Sequence, residues 1–107
     1  MTWTVKYTKG AEQDLDDIYD YYANERLDVV FASKLIGELA NAANALDFMP
    51  FRYPAYPNEP WKSKGLRTLY KNNHVILYIP NKATSIVSIV RIMYGGRDID
   101  KQLSIDN

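Results

Sequence analysis

The side chains with the most chemical reach gather in the second half of the chain: Lys64, Arg67, Lys71, His74, Arg91, Tyr94 and Arg97. They are cations, one imidazole and one phenol, groups that bind anions, move protons or stabilise developing negative charge. His74 is the only histidine and stands beside Asn72-Asn73. A strand-end residue is the plain reading there, because a general base needs an orienting partner and none can be picked out. Arg91 lies in an apolar run, and by alternation it shares a strand face with Val87, Ile89 and Met93. A charge on such a face needs a partner or a cleft. We expect an ion pair with a helix carboxylate or contacts to backbone carbonyls; the alternative is an arginine that docks a phosphate or a target. Gly95-Gly96 reads as a bulge or tight exit that aims Arg97. It is not a phosphate loop, since it lacks the Lys-Ser/Thr pair and the following helix. With one histidine, no cysteine and no spaced carboxylate pair beside His74, no metal site is expected, and no cofactor is implied.

The elements that must position these groups can be read from periodicity. Trp3 to Thr8 alternates and is rich in β-branched and aromatic residues, a strand pattern. Thr8 can cap a helix, predicted over about residues 9–26, whose stripe is Ala11, Leu15, Ile18 and Tyr22. Asp16 and Asp20 fall on one solvated face at i and i+4. Tyr19, Tyr21 and Tyr22 cannot all face one way, so at least one is available to a partner. Asp28 is the next cap, for a helix over about 29–48 with Phe31, Leu35, Leu39, Ala42 and Leu46 as its stripe, stopped by Pro50. Residues 50–64 carry four prolines with Phe51, Tyr53, Tyr56 and Trp61, the signature of a loop pinned by aromatic anchors. A meander follows: strands over 65–70, 74–79 and 85–94, the first two joined by Asn72-Asn73, which suits a turn needing positive φ. Asp98 can cap a last short helix through Leu103. The order is β-α-α-β-β-β in one domain spanning residues 1–107. The fold class is therefore α+β, with a helical hairpin packed on one face of a small antiparallel sheet whose middle is 85–94.

Composition narrows the function classes. The 107 residues are 47% hydrophobic and 24% charged, which suits a folded globular chain and excludes a disordered one. There is no signal-peptide pattern and no apolar run near the roughly 20 residues needed to span a bilayer, so we expect a cytoplasmic protein without membrane contact. The formal net charge is zero, yet acids dominate Glu12 to Asp47 and bases dominate Arg52 to Lys101. Such asymmetry can orient a protein toward a polyanion, or it can mark two differently solvated faces.

Four segments in this order resemble a known superfamily: Asp14-Leu15 with Ile18-Tyr-Asp-Tyr21, Leu46 with Met49-Pro50, Gly65-Leu-Arg67, and Arg91-Ile-Met-Tyr-Gly-Gly-Arg-Asp98. Together they look like the RelE/ParE toxins of type II toxin–antitoxin systems, over nearly the whole chain. Glu59-Pro-Trp61 before Gly-Leu-Arg resembles one branch of these toxins in particular. The resemblance implies a growth-inhibiting toxin silenced by a cognate antitoxin. RelE-like members cut messenger RNA in the ribosome; ParE-like members inhibit DNA gyrase and are not hydrolases. RNA cleavage would need a group to activate the ribose 2′-hydroxyl, a cation for the phosphorane and an acid for the leaving oxygen. If the chain is RelE-like, the resemblance gives Arg67, Tyr94 and Arg97 as catalytic. Trp61, Lys64, Arg67, Arg91 and Arg97 are the expected antitoxin- or target-binding residues. Two features depart from the RelE pattern: Val75 follows His74 where those members carry an arginine, and Tyr94 stands where related branches carry a histidine. With the long helices, the zero net charge and the acidic first helix, these points favour gyrase over the ribosome with its mRNA. A non-toxic interaction module on the same fold is the remaining alternative.

Overall fold

The computed structural model describes residues 2–105. Strand β1 (Thr4–Tyr7) leads into helix α1 (Lys9–Asp20), which widens into a π turn over Tyr21–Glu25. Helix α2 (Val29–Asn44) returns and ends in a 3-10 turn, Ala45–Asp47. A second 3-10 turn, Pro50–Arg52, opens the proline-rich loop, and strands β2 (Arg67–Lys71), β3 (His74–Asn81) and β4 (Ile86–Tyr94) precede helix α3 (Ile99–Ile105). The predicted caps are in place. The Thr8 hydroxyl accepts from the Ala11 amide at 3.1 Å, and the Asp28 carboxylate accepts from the Phe31 amide at 3.0 Å. Asp98 accepts from the Lys101 amide at 3.2 Å. Each satisfies an amide that a helix start leaves without a partner. Asn72 and Asn73 turn the β2–β3 hairpin at φ 49° and 63°, left-handed values that asparagine tolerates better than most residues.

The sheet order is β1-β4-β3-β2, so β4 is an inner strand as its apolar run implies. The sheet is mixed rather than wholly antiparallel: β1 runs parallel to β4, while β2–β3 and β3–β4 are antiparallel. The cause is the hairpin. Its two helices go out and back, so the chain re-enters the sheet in the direction it left, and the meander then returns β4 beside β1.

Both faces of the sheet are covered. On one, Ala11, Leu35, Leu39, Ala43 and Leu46 of the hairpin side meet Leu69, Ile76, Tyr78, Val87, Ile89 and Ile92. On the other, Tyr56 of the loop and Leu103 of α3 pack with Leu66, Val75, Leu77 and Met93. That second cover explains why Val75 to Tyr78 are all buried. The inward stripe of α2 is rotated from the one predicted: Ala32 and Ala43 lie in it, and Phe31 stays 45% exposed.

Two tyrosines fasten irregular segments to this core. The buried Tyr78 hydroxyl donates to the Pro50 carbonyl at 2.6 Å, and buried Tyr56 donates to Asp100. Burial, first of all, pushes both phenols up to about 12. Their neutral forms therefore stabilise the fold fully below about pH 10, the unfolded value, and this contribution is lost as pH rises toward 12. Thermal unfolding followed across pH 9–12 should show a falling midpoint, and Tyr56→Phe or Tyr78→Phe should each flatten that slope. Unaltered slopes in both variants would show that these phenols carry no such linkage.

Candidate functional site: the cleft at the end of β4

The register between β3 and β4 slips once. Leu77 faces Arg91 and Tyr78 faces Ile89, so Val90 is an extra residue, a β-bulge. The bulge breaks the single face that plain alternation gives β4. Val87 and Ile89 face the hairpin, whereas Met93 belongs to the opposite cluster.

Arg91 itself reaches α1. Its Nε donates to Asp14 Oδ2 at 2.6 Å and its Nη2 to Oδ1 at 2.8 Å, a two-pronged ion pair. The Ile92 amide adds a third bond to Asp14 Oδ2 at 2.9 Å. The two side chains are 16% and 11% exposed. Hydrogen bonding to Asp14 holds the Arg91 guanidinium above its ordinary pKa. The stem of Arg91 passes Gly10, where a Cβ would lie 3.2 Å from its Cδ. Sequence reasoning expected a helix carboxylate but did not single out Asp14. The signal was there: Asp14 stands three residues after Ala11 and four before Ile18, on the inward face of α1.

Beyond this pair the end of β4 and the last turns of α1 enclose an open cleft of about 700 Å³. Ile18, Tyr21, Tyr22, His74 and Tyr94 give it aromatic and apolar walls; Asp17, Glu25 and Arg97 give it charge. The imidazole of His74 is buried, its Nδ1 lies 2.8 Å from the Asn72 carbonyl, and its ring meets Tyr94 edge-on at 5.9 Å. Tyr94 lies over Gly96, where a Cβ would stand 2.6 Å from the ring; close approach of the ring requires this glycine. The Arg97 amide bonds back to the Tyr94 carbonyl at 3.1 Å, so the tight exit does set the place of Arg97. Of Tyr19, Tyr21 and Tyr22 on α1 and its extension, Tyr21 is the exposed one.

The other candidate residues lie elsewhere. Arg67 starts β2, four residues of strand, about 13 Å, from the level of Lys71, His74 and Tyr94. Its Nη1 donates to the carbonyls of Phe51 and Tyr53 at 3.1 and 2.6 Å. Trp61 packs against the cluster on the sheet face away from the hairpin, with the Lys64 ammonium 4.5 Å from its ring centre. The structure thus brings Tyr94, Arg97 and Arg91 together, pairs Lys64 with Trp61 on the opposite sheet face, and leaves Arg67 apart from both, against Phe51 and Tyr53. Among the described residues no cluster of three His, Asp or Glu side chains could hold a metal ion. No helix among them is long and apolar enough to cross a membrane.

Residues 5–99 match the model of the family described as the ParE toxin of the type II toxin–antitoxin system parDE. The chain belongs to the ParE toxin family. No curated protein sequence matches it. Among solved structures, this ParE-family chain is similar to the chromosomal ParDE toxin–antitoxin system of P. aeruginosa, at 24% identity and a TM-score of 0.71, over 87% of this chain and 96% of that one. It is also similar to the RelBE2 toxin–antitoxin complex of Mycobacterium tuberculosis, at 19% identity and a TM-score of 0.65, over 88% and 99%. The archaeal RelE–RelB complex of Pyrococcus horikoshii follows at 14% identity and a TM-score of 0.52, over 92% and 100%. The fold is the RelE/ParE fold, and the protein is a toxin of a type II system on it.

The ion pair yields a prediction. Arg91→Ala leaves a mostly buried carboxylate with one amide partner, which costs on the order of 3–5 kcal/mol. Thermal unfolding should fall by roughly 10 °C or more for a chain of this size. Arg91→Lys should recover only part, since an ammonium cannot make the two-pronged contact. An unchanged midpoint with toxicity abolished would instead make Arg91 a functional contact.

Proposed function

We propose that this chain arrests growth by binding DNA gyrase as a protein ligand, without chemistry of its own, and that a cognate antitoxin silences it by occupying its surface. The observation that carries the first part is the charge of the cleft at the end of β4. Its half-buried Arg91 is already paired with Asp14, and Asp17 and Glu25 line it together with Arg97. Carboxylates lining the cleft repel an RNA phosphate placed there. Arg67, the further cation that RNA cleavage would use, stands at the other end of its strand and is bonded to two carbonyls. Aromatic walls with a charged rim suit a protein partner.

The antitoxin part is supported by the neighbours, three of which are toxin–antitoxin systems or complexes. An amphipathic segment that folds on binding suits the cleft between α1 and the end of β4. If it touches Trp61 and Arg67 as well as Arg97, it wraps around the edge strand β2, because Trp61 lies on the opposite face. Arg67→Glu combined with Arg97→Glu should then weaken the complex.

A second reading, ribosome-dependent cleavage of messenger RNA with Arg67, Tyr94 and Arg97 as catalytic residues, draws on one observation: Tyr94 and Arg97 share the cleft with His74. Two assays on the purified chain separate the readings: gyrase supercoiling, and primer extension on mRNA with ribosomes. We expect inhibition of supercoiling that Arg97→Ala weakens, with no cleavage by either protein. Cleavage by the wild-type chain that Arg97→Ala abolishes would overturn this and make the second reading the function.

A further inference from the structure

The turn that joins the two helices is built against the ordinary preferences of a helical hairpin. The Asp28 amide bonds back to the Tyr22 carbonyl at 2.9 Å, which closes the end of the first helix and leaves Leu27 in the left-handed region at φ 56°. Glycine or asparagine is the usual occupant of that position, because a Cβ is strained there. Leu27 is instead a large aliphatic side chain, and it is 84% exposed. The first turn of α2 follows the same pattern. Beyond the capping Asp28, it has no acidic residue. It carries Val29, Val30 and Phe31, exposed to 54%, 81% and 45%. Phe31 stacks edge-on against Tyr22, and Tyr22 against the exposed Tyr21, both at 5.0 Å between ring centres. The apolar tip is thereby continuous with the aromatic wall of the cleft. Sites that break local folding rules with no packing gain are where a partner is expected.

We propose that this tip, centred on Leu27 and Val30, is the surface by which the chain docks on its folded target protein, inserting into an apolar groove with a basic rim. The inference rests on the toxin acting by binding, as argued above. Shape points to the occupant: side chains more than four-fifths exposed project from the molecule, so they enter a groove already formed on a partner, whereas an antitoxin segment that folds on binding needs a concave surface to fold upon. Charge points the same way. Asp20, Glu25 and Asp28 stand near the tip in the chain against Arg26 and Lys34, all exposed, so the tip keeps an acidic excess that a basic rim complements.

The test uses the full chain with Leu27→Asn and Val30→Ser combined. Asparagine relieves the left-handed strain and both positions are solvent-exposed, so the thermal midpoint should hold or rise. Four readouts are taken: growth arrest on induction, gyrase supercoiling, affinity for the cognate antitoxin, and mass in solution. We expect growth arrest to be lost, supercoiling inhibition to weaken on the order of tenfold or more, antitoxin affinity to stay, and mass to be unchanged. A Glu25→Lys variant should weaken inhibition further through the rim. Full growth arrest by the doubly substituted chain overturns the inference. So does a variant whose antitoxin affinity falls while arrest persists, which would assign the tip to the antitoxin, or one that merely loses a wild-type dimer. If the wild-type chain leaves gyrase untouched, the gyrase proposal fails on its own. Growth arrest then still decides the tip: its loss in a stable, antitoxin-binding variant supports docking on another folded target.

Discussion

One carboxylate holds the two layers of this protein in register. Asp14 on α1 accepts two N–H groups from Arg91 and one from the backbone of Ile92. The hydrophobic contacts between hairpin and sheet are broad but carry little direction, and helices can slide over such a surface. A two-pronged ion pair with a backbone bond beside it has direction. It sits at the bulge that reverses the facing of β4, so the strand can offer Val87 and Ile89 to the hairpin and Met93 to the opposite cluster. The cleft starts where this clamp ends.

The function proposed here follows from how the surfaces divide around that clamp. Acids and aromatic rings collect at the hairpin end, near Tyr21, Glu25 and Tyr94. At the start of β2 and the β3–β4 turn, cations sit on aromatic rings instead. Arg67 and Lys82 lie 5.0 and 5.2 Å from the Phe51 ring centre, and Arg52 donates to the Met49 and Ala45 carbonyls just past the end of α2. Much of the basic character visible in the second half of the sequence is thus spent on holding the loop and the helix end. An electrostatic grip on a polyanion has correspondingly fewer free cations to use, while the hairpin end keeps the composition of a protein interface.

Features that depend on neighbours in the chain are legible in the sequence. Thr8 and Asp28 cap because their side chains reach amides three residues on, and Asn72-Asn73 turns because asparagine tolerates positive φ. Tyr94 and Arg97 meet in one cleft for the same reason: a tight turn of two glycines joins them. What depends on distant partners is not legible. Nothing local in β1 announces a parallel pairing with β4. The bulge at Val90 has no marker in a run of β-branched residues, and it invalidates any face assigned by counting. Asp14 is one acid among many on α1 until the strand that pairs with it is known. The periodicity of α2 defines its stripe only to within a rotation, which is why Ala32 and not Phe31 faces inward.

The claim that the clamp makes hairpin and sheet one cooperative unit can be measured directly by native-state hydrogen exchange at the Ile92 amide and along α1. The account requires that in the wild-type chain these amides exchange only through global unfolding, and that Asp14→Ala lets Ile92 and α1 open together below the global limit while β3 stays protected. Exchange of α1 by separate opening in the wild-type chain, or unchanged protection of Ile92 in Asp14→Ala, would contradict it.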